Sequence, residues 1–282
     1  MRKSTRRTAL AVVAAASLTL AGLTTAQAGQ GDAAPTPPGA CGDDGPPALL
    51  TVDYRNGRLD SGVPDLTTTH ATADDASYVV PFGTDHAVAH KVTLGDPAYV
   101  SDGAPRSESA TNDVHEGKFV VGDEQRYEFG VLLKDWKPFE PGDSENGDII
   151  FQGKHAGGNQ PSFYLMTKRN SIAFRSPVLG LQVGVVDDFR PHIDKWMHFR
   201  VDVSWTDDST GYYKVSSKLP GETRYTLRKT YENVKTFHPV NPADFGYLKW
   251  GLYRPGQSLE KGDVPTRIVQ HDDIRVLDLS QG

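Results

Sequence analysis

Short segments rich in Val, Ile, Tyr and Phe recur from about residue 49 onward, separated by clusters of Gly, Pro, Asp and Asn. In the clearest segment, Met197, Phe199 and Val201 alternate with polar residues, as in a strand with one buried face. No long amphipathic helix is predicted. The chain is therefore predicted to be all-β. The predicted strands are 49–54, 77–81, 88–94, 117–121, 125–133, 148–154, 162–168, 171–176, 179–186, 195–205, 211–217, 223–230, 246–254 and 267–279.

The number of strands favours one fold class. So many short strands without an internal repeat suit a concanavalin-like jelly-roll β-sandwich of two large antiparallel sheets, whereas a propeller would show a blade period. The chain has a single cysteine, Cys41, and no Cys/His cluster with zinc spacing. Packing of the apolar residues, 37% of the chain, must therefore stabilise the fold.

The N-terminus has the three parts of a secretory signal. Four basic residues precede an apolar run from Ala9 to about Leu23, and Ala26-Gln27-Ala28 offers a small-residue cleavage site. A membrane-spanning helix is disfavoured because the run is Ala-rich and interrupted by Ser and Thr. We predict a signal peptide over 1–28, a flexible leader over 29–48, and a folded domain over 49–282 of a secreted, extracellular protein. The paired arginines leave the general and twin-arginine export routes both open.

The charge balance restricts the partners. Without residues 1–28, which hold four basic and no acidic residues, 26 Lys and Arg remain against 36 Asp and Glu, a formal charge of −10. Nucleic-acid binding relies on dense cationic contacts, so a nucleic-acid partner is not expected. We also expect no membrane partner, and we expect a monomer. A polyanionic ligand would need a local basic site.

The segment 246–254 carries reactive side chains on one face. Tyr247, Lys249 and Tyr253 point one way and Leu248, Trp250 and Leu252 the other. A lysine close to a phenol can lower the pKa of that phenol toward an acid/base range. On this segment alone, an ordinary solvated outer face is the competing interpretation.

Two further segments contain candidate polar groups. Gln152 and His155 end the strand predicted at 148–154, and histidine is the natural proton-transfer residue near neutral pH. Arg106 and Glu108 share a face if their segment is extended, and Arg can bind a carboxylate through two hydrogen bonds while Glu orients it. Alone, the first could be an exposed turn and the second a surface salt bridge.

Together the three segments resemble a known family. Arg106-Ser107-Glu108, then Gln152 to His155, then Tyr247-Leu248-Lys249-Trp250-Gly251-Leu252-Tyr253 resemble the motifs of the jelly-roll polysaccharide lyases. The ending Tyr253-Arg254 and the later His271-Asp272-Asp273-Ile274-Arg275-Val276 are more similar to the glucuronan and heparin lyase I-like branch than to the alginate lyases. The resemblance spans about 105 to 278.

The resemblance implies cleavage of a 4-linked uronic acid polymer, glucuronan-like in preference, by β-elimination without a required cofactor. Arg106 and Gln152 would offset the charge of the substrate carboxylate. Tyr253 would be the acid, His155 or Tyr253 the base, and Lys249 would bias Tyr253 toward its phenolate and hold substrate. The substrate-binding residues would be Glu108, Lys154, Arg175, Tyr247 and Arg254.

One departure from the family pattern leaves the base open. Gln and His are usually two residues apart in these families, whereas Gln152 and His155 are three apart and would lie on opposite faces of a regular strand. A bulge at Gly153 could realign them. Otherwise Lys154 shares the face of Gln152, and Tyr253 or another histidine such as His115 is the base.

Other functions remain as alternatives. An alginate lyase of the same fold or a non-catalytic carbohydrate-binding module would also explain the sandwich. A glycoside hydrolase is disfavoured because no Glu-x-Asp-x-x-Glu run occurs. The acidic loop 143–148 could bind a structural calcium, although its spacing is not that of an EF-hand. No catalytic metal is predicted.

Overall fold

The computed structural model describes residues 45–158, 160–241 and 245–281. The predicted signal peptide and most of the predicted leader lie outside the described residues. The strands are β1 (Ala48–Val52), β2 (Ser77–Phe82), β3 (Asp85–Thr93), β4 (Val100–Ser101), β5 (Ala104–Ala110), β6 (Lys118–Phe119), β7 (Glu124–Lys134), β8 (Ile149–His155), β9 (Phe163–Lys168), β10 (Ser171–Ser176), β11 (Leu181–Val186), β12 (Met197–Ser204), β13 (Gly211–Lys218), β14 (Thr226–Val234), β15 (Gly246–Tyr253) and β16 (Thr266–Asp278).

The strands form two antiparallel sheets. Sheet A has the order β14-β13-β12-β7-β16-β3-β2, with β1 also paired to β16. Sheet B has the order β11-β10-β9-β8-β15-β5-β4, with β6 also paired to β15. This confirms the predicted all-β sandwich. Each of the fourteen predicted strands overlaps an observed one, whereas β4 and β5 were not predicted as strands.

The helices among the described residues are single 3₁₀ turns at Pro97–Tyr99, His115–Gly117, Arg190–His192 and Leu259–Lys261. They connect strands, and Tyr99 of the first turn is buried in the core. None of the described helices is long or apolar enough to cross a membrane.

Aromatic rings join the inner faces of the two sheets. Phe129 of sheet A stacks on Phe151 of sheet B, with ring centres 3.7 Å apart, and Trp205 stacks on Phe119 at 3.8 Å. Close stacking of this kind adds about 0.5–1.5 kcal/mol per pair beyond the area buried. The alternation predicted for 195–205 is confirmed, because Met197, Phe199, Val201, Val203 and Trp205 are all fully buried.

Candidate active site

The three sequence motifs lie on neighbouring strands of sheet B. Antiparallel pairing places Gln152 of β8 opposite Lys249 of β15, and Arg106 of β5 opposite Tyr253 of β15. The side chains of these residues lie on the outer face of sheet B, the face directed away from the core, while Leu248, Trp250 and Leu252 enter the core. We refer to this part of the outer face as the candidate site.

Glu108 organises the candidate site. One carboxylate oxygen accepts a hydrogen bond from Gln152 Nε2 at 2.6 Å, and the other accepts one from Lys249 Nζ at 2.7 Å. Arg106 lies 3.9 Å from the same carboxylate. Only 4% of Glu108 is exposed. The structure therefore gives Glu108 an orienting position rather than the predicted contact with substrate, because both of its oxygens face protein donors. Lys249 is the ion-pair partner of Glu108 in the structure.

Arg106 and Tyr253 form the second contact of the site. The guanidinium of Arg106 lies 4.1 Å from the ring centre of Tyr253 and 3.5 Å from Asp102. Tyr253 is half-buried and packs on Ile149, Tyr164 and Met166. The cation over the ring and these packing contacts fix the orientation of the Tyr253 ring.

The structure contradicts the predicted placement of His155. Pairing between β8 and β15 is regular from Gln152 to His155, so no bulge occurs at Gly153 and the two side chains lie on opposite faces. His155 is fully buried in the core, where its Nε2 hydrogen-bonds with Ser162 Oγ at 2.6 Å and with the His238 N–H at 3.1 Å. From the core, His155 cannot reach a substrate on the outer face.

The irregularity lies in β15 instead. The register between β15 and β8 shifts between Trp250 and Tyr253, where Gly251 has a φ of +142°. A Cβ atom at Gly251 would lie 2.3 Å from the Ser107 carbonyl oxygen of β5. Only glycine fits this conformation and this close approach, so the glycine of the Tyr-x-Lys-x-Gly-x-Tyr motif is required by geometry.

Lys154 takes the place on the outer face that His155 was predicted to take. It lies opposite Tyr247, and its ammonium donates to the Gly158 carbonyl. Burial lowers the pKa of Lys154, and the positive charges of Lys249 and Arg106 lower it further. Burial and the carboxylate of Glu108 raise the pKa of Tyr247, so that phenol stays protonated.

Arg175 lies in the same lateral row as the motifs. The row runs across the outer face from Arg175 of β10 through Tyr164 of β9 and Gln152 to Lys249. The Arg175 guanidinium lies 5.8 Å from the ring centre of Tyr164 and 3.6 Å from the sulfur of Met166. Sequence reasoning missed Tyr164 as a site residue, although alternation with the buried Phe163 and Leu165 could have placed it on this face.

Arg254 is not on the outer face, so its predicted substrate contact is wrong. It is fully buried, and its guanidinium bonds to Asp148 at 3.1 Å, to Gln257, and to the carbonyls of Val264 and Pro265. A buried guanidinium needs this many partners to offset its lost hydration. Arg254 therefore fixes the loop that follows β15.

The acidic loop predicted as a calcium candidate is engaged in contacts with cations. Asp148 accepts from Arg254 and Gln257 and lies 3.4 Å from Arg267, while Asp143 lies 3.6 Å from Lys137. Within the described residues, no group of three or more His, Cys, Asp or Glu side chains is arranged to hold a metal ion.

The comparisons with known proteins identify the family. The family model described as polysaccharide lyase matches residues 53–275. The chain belongs to the polysaccharide lyase family. It is therefore a lyase of the polysaccharide-degrading class, as the three motifs indicated. No curated protein matches this lyase in sequence.

Solved structures share the fold of this lyase. An endo-β-1,4-glucuronan lyase from the fungus Trichoderma reesei is 19% identical with a TM-score of 0.55, covering 82% of this chain and 96% of that one. A marine alginate lyase from Aplysia kurodai is 12% identical with a TM-score of 0.54, covering 82% and 99%. The alginate lyase from Klebsiella pneumoniae is 12% identical with a TM-score of 0.52, covering 72% and 85%.

Proposed function

We propose that this protein is a secreted lyase that cleaves a 4-linked uronic acid polysaccharide, glucuronan-like in preference, by β-elimination. The observation that carries the proposal is the cluster on the outer face, in which Glu108 holds Gln152 and Lys249 beside Arg106 and Tyr253. The resemblance of the motifs to the glucuronan branch, and the fold shared with the glucuronan lyase of Trichoderma reesei, support the choice of polymer.

Charge neutralisation is the first requirement of this reaction. The C5 proton of a uronate is weakly acidic because the adjacent carboxylate is negative, and abstraction creates further negative charge on that group. Arg106 and the amide of Gln152 would donate to the carboxylate, since both side chains lie on the outer face of sheet B. Glu108 holds both groups in place. Since these side chains supply the stabilisation, the proposed reaction needs no cofactor, and a chelator should leave its rate unchanged.

Proton transfer completes the reaction. The deprotonated oxygen of Tyr253 would take the C5 proton, the C5–H electron pair would form the C4–C5 double bond, and the C4–O bond would break. The same tyrosine would then give that proton to the departing oxygen, so no water is consumed. Lys154 lies opposite Tyr247, six residues along the strands from Tyr253, and would bind substrate rather than take the proton.

The test is the ultraviolet absorbance of the unsaturated uronate, which elimination creates and hydrolysis does not. Purified protein is incubated separately with polyglucuronate, polymannuronate, polyguluronate, hyaluronan and heparin. We expect absorbance to rise with polyglucuronate, and Tyr253→Phe to lower the rate by roughly 10²- to 10⁴-fold.

Tyr225→Phe is the matched control. Tyr225 lies just before β14 of sheet A, with the Arg200 guanidinium 4.1 Å from its ring centre, the same separation as between Arg106 and Tyr253. A rise in absorbance only with polymannuronate or polyguluronate would identify alginate as the substrate instead. Binding without any rise in absorbance would instead identify a carbohydrate-binding module.

Export is proposed from the sequence of residues 1–28. The basic start, the apolar run and the small-residue cleavage site support secretion. The full chain is expressed in a secreting bacterial host, and the protein in the medium is analysed by mass spectrometry. A mature N-terminus at residue 29 is expected, whereas an uncleaved chain retained in the cell would contradict the proposal.

A further inference from the structure

The outer face of sheet B continues beyond the candidate site. The next lateral row contains Lys154 of β8, Tyr247 of β15 and Lys118 of β6, which pair in register. The residue after Lys118, Phe119, is buried in the core, so Lys118 points to the outer face. The row therefore extends the face that carries the motifs, with two further cations and one further ring.

An aromatic ring extends this row. The Lys118 ammonium lies 4.2 Å from the ring centre of Phe245, and that ring lies 6.4 Å from the ring of Tyr247. All three side chains are half-buried. Lys118 and Phe245, but not Tyr247, also line a cavity of about 410 Å³ between β6 and the strands β1 and β7 of sheet A.

We propose that Lys118, Phe245 and Tyr247 form a distal subsite that binds a uronate unit of the polysaccharide away from the bond that is cleaved. The apolar face of a sugar ring would pack on Phe245 or Tyr247, and the Lys118 ammonium would pair with the carboxylate. This inference rests on the proposed function, because it takes the acidic polysaccharide as the ligand.

The position of the subsite determines its effect. Tyr247 lies six residues before Tyr253 on β15, which corresponds to roughly 15–20 Å along a strand. Groups at this distance cannot contact the reacting atoms. The subsite therefore contributes to binding of long chains and has no part in the chemical step. Oligosaccharides too short to extend from Tyr253 to Phe245 do not use it.

The test measures binding separately from turnover. Affinity for long polyglucuronate is measured by titration calorimetry in a Tyr253→Phe background, so that the polymer stays intact. Lys118→Ala and Phe245→Ala are each expected to weaken binding at least fivefold, or about 1 kcal/mol. In the otherwise wild-type enzyme, both should raise KM for the polymer and leave kcat and the KM for a disaccharide unchanged.

Lys214→Ala is the matched control, because the Lys214 ammonium lies 4.4 Å from the ring centre of Tyr212 on sheet A. Equal affinity for polyglucuronate in Lys118→Ala, Phe245→Ala and the control would overturn the subsite, even if the wild type cleaves the polymer. Absence of cleavage by the wild type, with binding that still depends on Lys118, would overturn the reaction and retain the subsite. Absence of binding would overturn both.

Discussion

Polar side chains lie on both sides of sheet B, and the two sets differ in charge and contacts. On the outer face, Glu108 and Lys249 form an ion pair beside Arg106. In the core beneath, burial lowers the pKa of His90 to about 4 and holds that of His271 well below its usual value, so both rings stay neutral. The difference teaches that these strands carry an ion pair on the outer face of the sheet, whereas the two titratable rings of the core beneath are held neutral.

The core histidines have structural contacts. His271 Nε2 donates to the Ile150 carbonyl at 2.8 Å, which joins sheet A to the irregular start of β8. His90 lies 3.1 Å from Ser109 Oγ of β5. Both bonds satisfy buried polar groups directly beneath the strands of the candidate site. The core set thus supports the strands, and the outer set is available for chemistry.

Two residues of β8 on opposite faces give the largest expected difference. Gln152→Met should lower kcat by roughly 10²- to 10³-fold, because it removes a proposed donor to the substrate carboxylate. His155→Gln should instead leave kcat nearly unchanged and destabilise the fold by about 1–3 kcal/mol, because it disturbs buried hydrogen bonds. Initial rates and thermal unfolding of the two variants check this. A larger loss of kcat in the His155 variant would reverse the assignment of the two faces.

Removal of the buried carboxylate is expected to affect both stability and rate. Glu108→Ala leaves Lys249 buried without its partner and should destabilise the protein by about 3–5 kcal/mol. The control is Glu145→Ala, since the Glu145–Arg169 pair is exposed and should contribute only about 0–1 kcal/mol. Denaturant unfolding measures both. If the two variants were equally stable, Glu108 would not be the organiser of the site.

Asp272 is a second buried carboxylate, but unlike Glu108 it has an oxygen without a hydrogen-bond partner among the described residues. This oxygen is Oδ1, and only 5% of Asp272 is exposed. Burial, with the charges of Asp273, Asp85 and Asp53, raises its pKa to about 7. Between about pH 4 and pH 7 the folded state therefore holds a proton that the unfolded state has lost, so this residue lowers stability as pH rises.

Asp272→Asn should remove this pH dependence. Relative to the wild type, the variant is expected to gain roughly 2–4 kcal/mol at pH 8 and little at pH 4. Denaturant unfolding of both proteins at the two pH values measures the gain. An equal effect at both pH values would show that burial does not raise the pKa of Asp272.

Sequence reasoning predicts the strands that show regular apolar alternation. It misses a strand whose extended conformation depends on pairing with residues far away in the chain. Strand β12 was predicted because Met197 to Val203 alternate strictly. Strand β5, Ala104–Ala110, was missed because it has no β-branched or aromatic residue, and it is extended because it pairs with β15.

The errors at the site have the same origin. The position of the bulge depends on the fit of Gly251 against the Ser107 carbonyl. The burial of the Arg254 side chain depends on its contact with Asp148, 106 residues earlier. Neither contact leaves a local pattern. The motifs predicted which strands meet, but the face taken by His155 and Arg254 required the packed structure.

The position of β16 in sheet A has a consequence for folding. This strand, the last in sequence of those described, lies between β7 and β3 and also pairs with β1. Sheet A therefore cannot close until β16 has been synthesised, and its central pairings join residues far apart in the chain. Such high contact order slows folding and leaves strand edges exposed in the meantime. A ribosome-bound chain lacking β16 would present β3 and β7 as unpaired edges, the surfaces on which a chaperone would act.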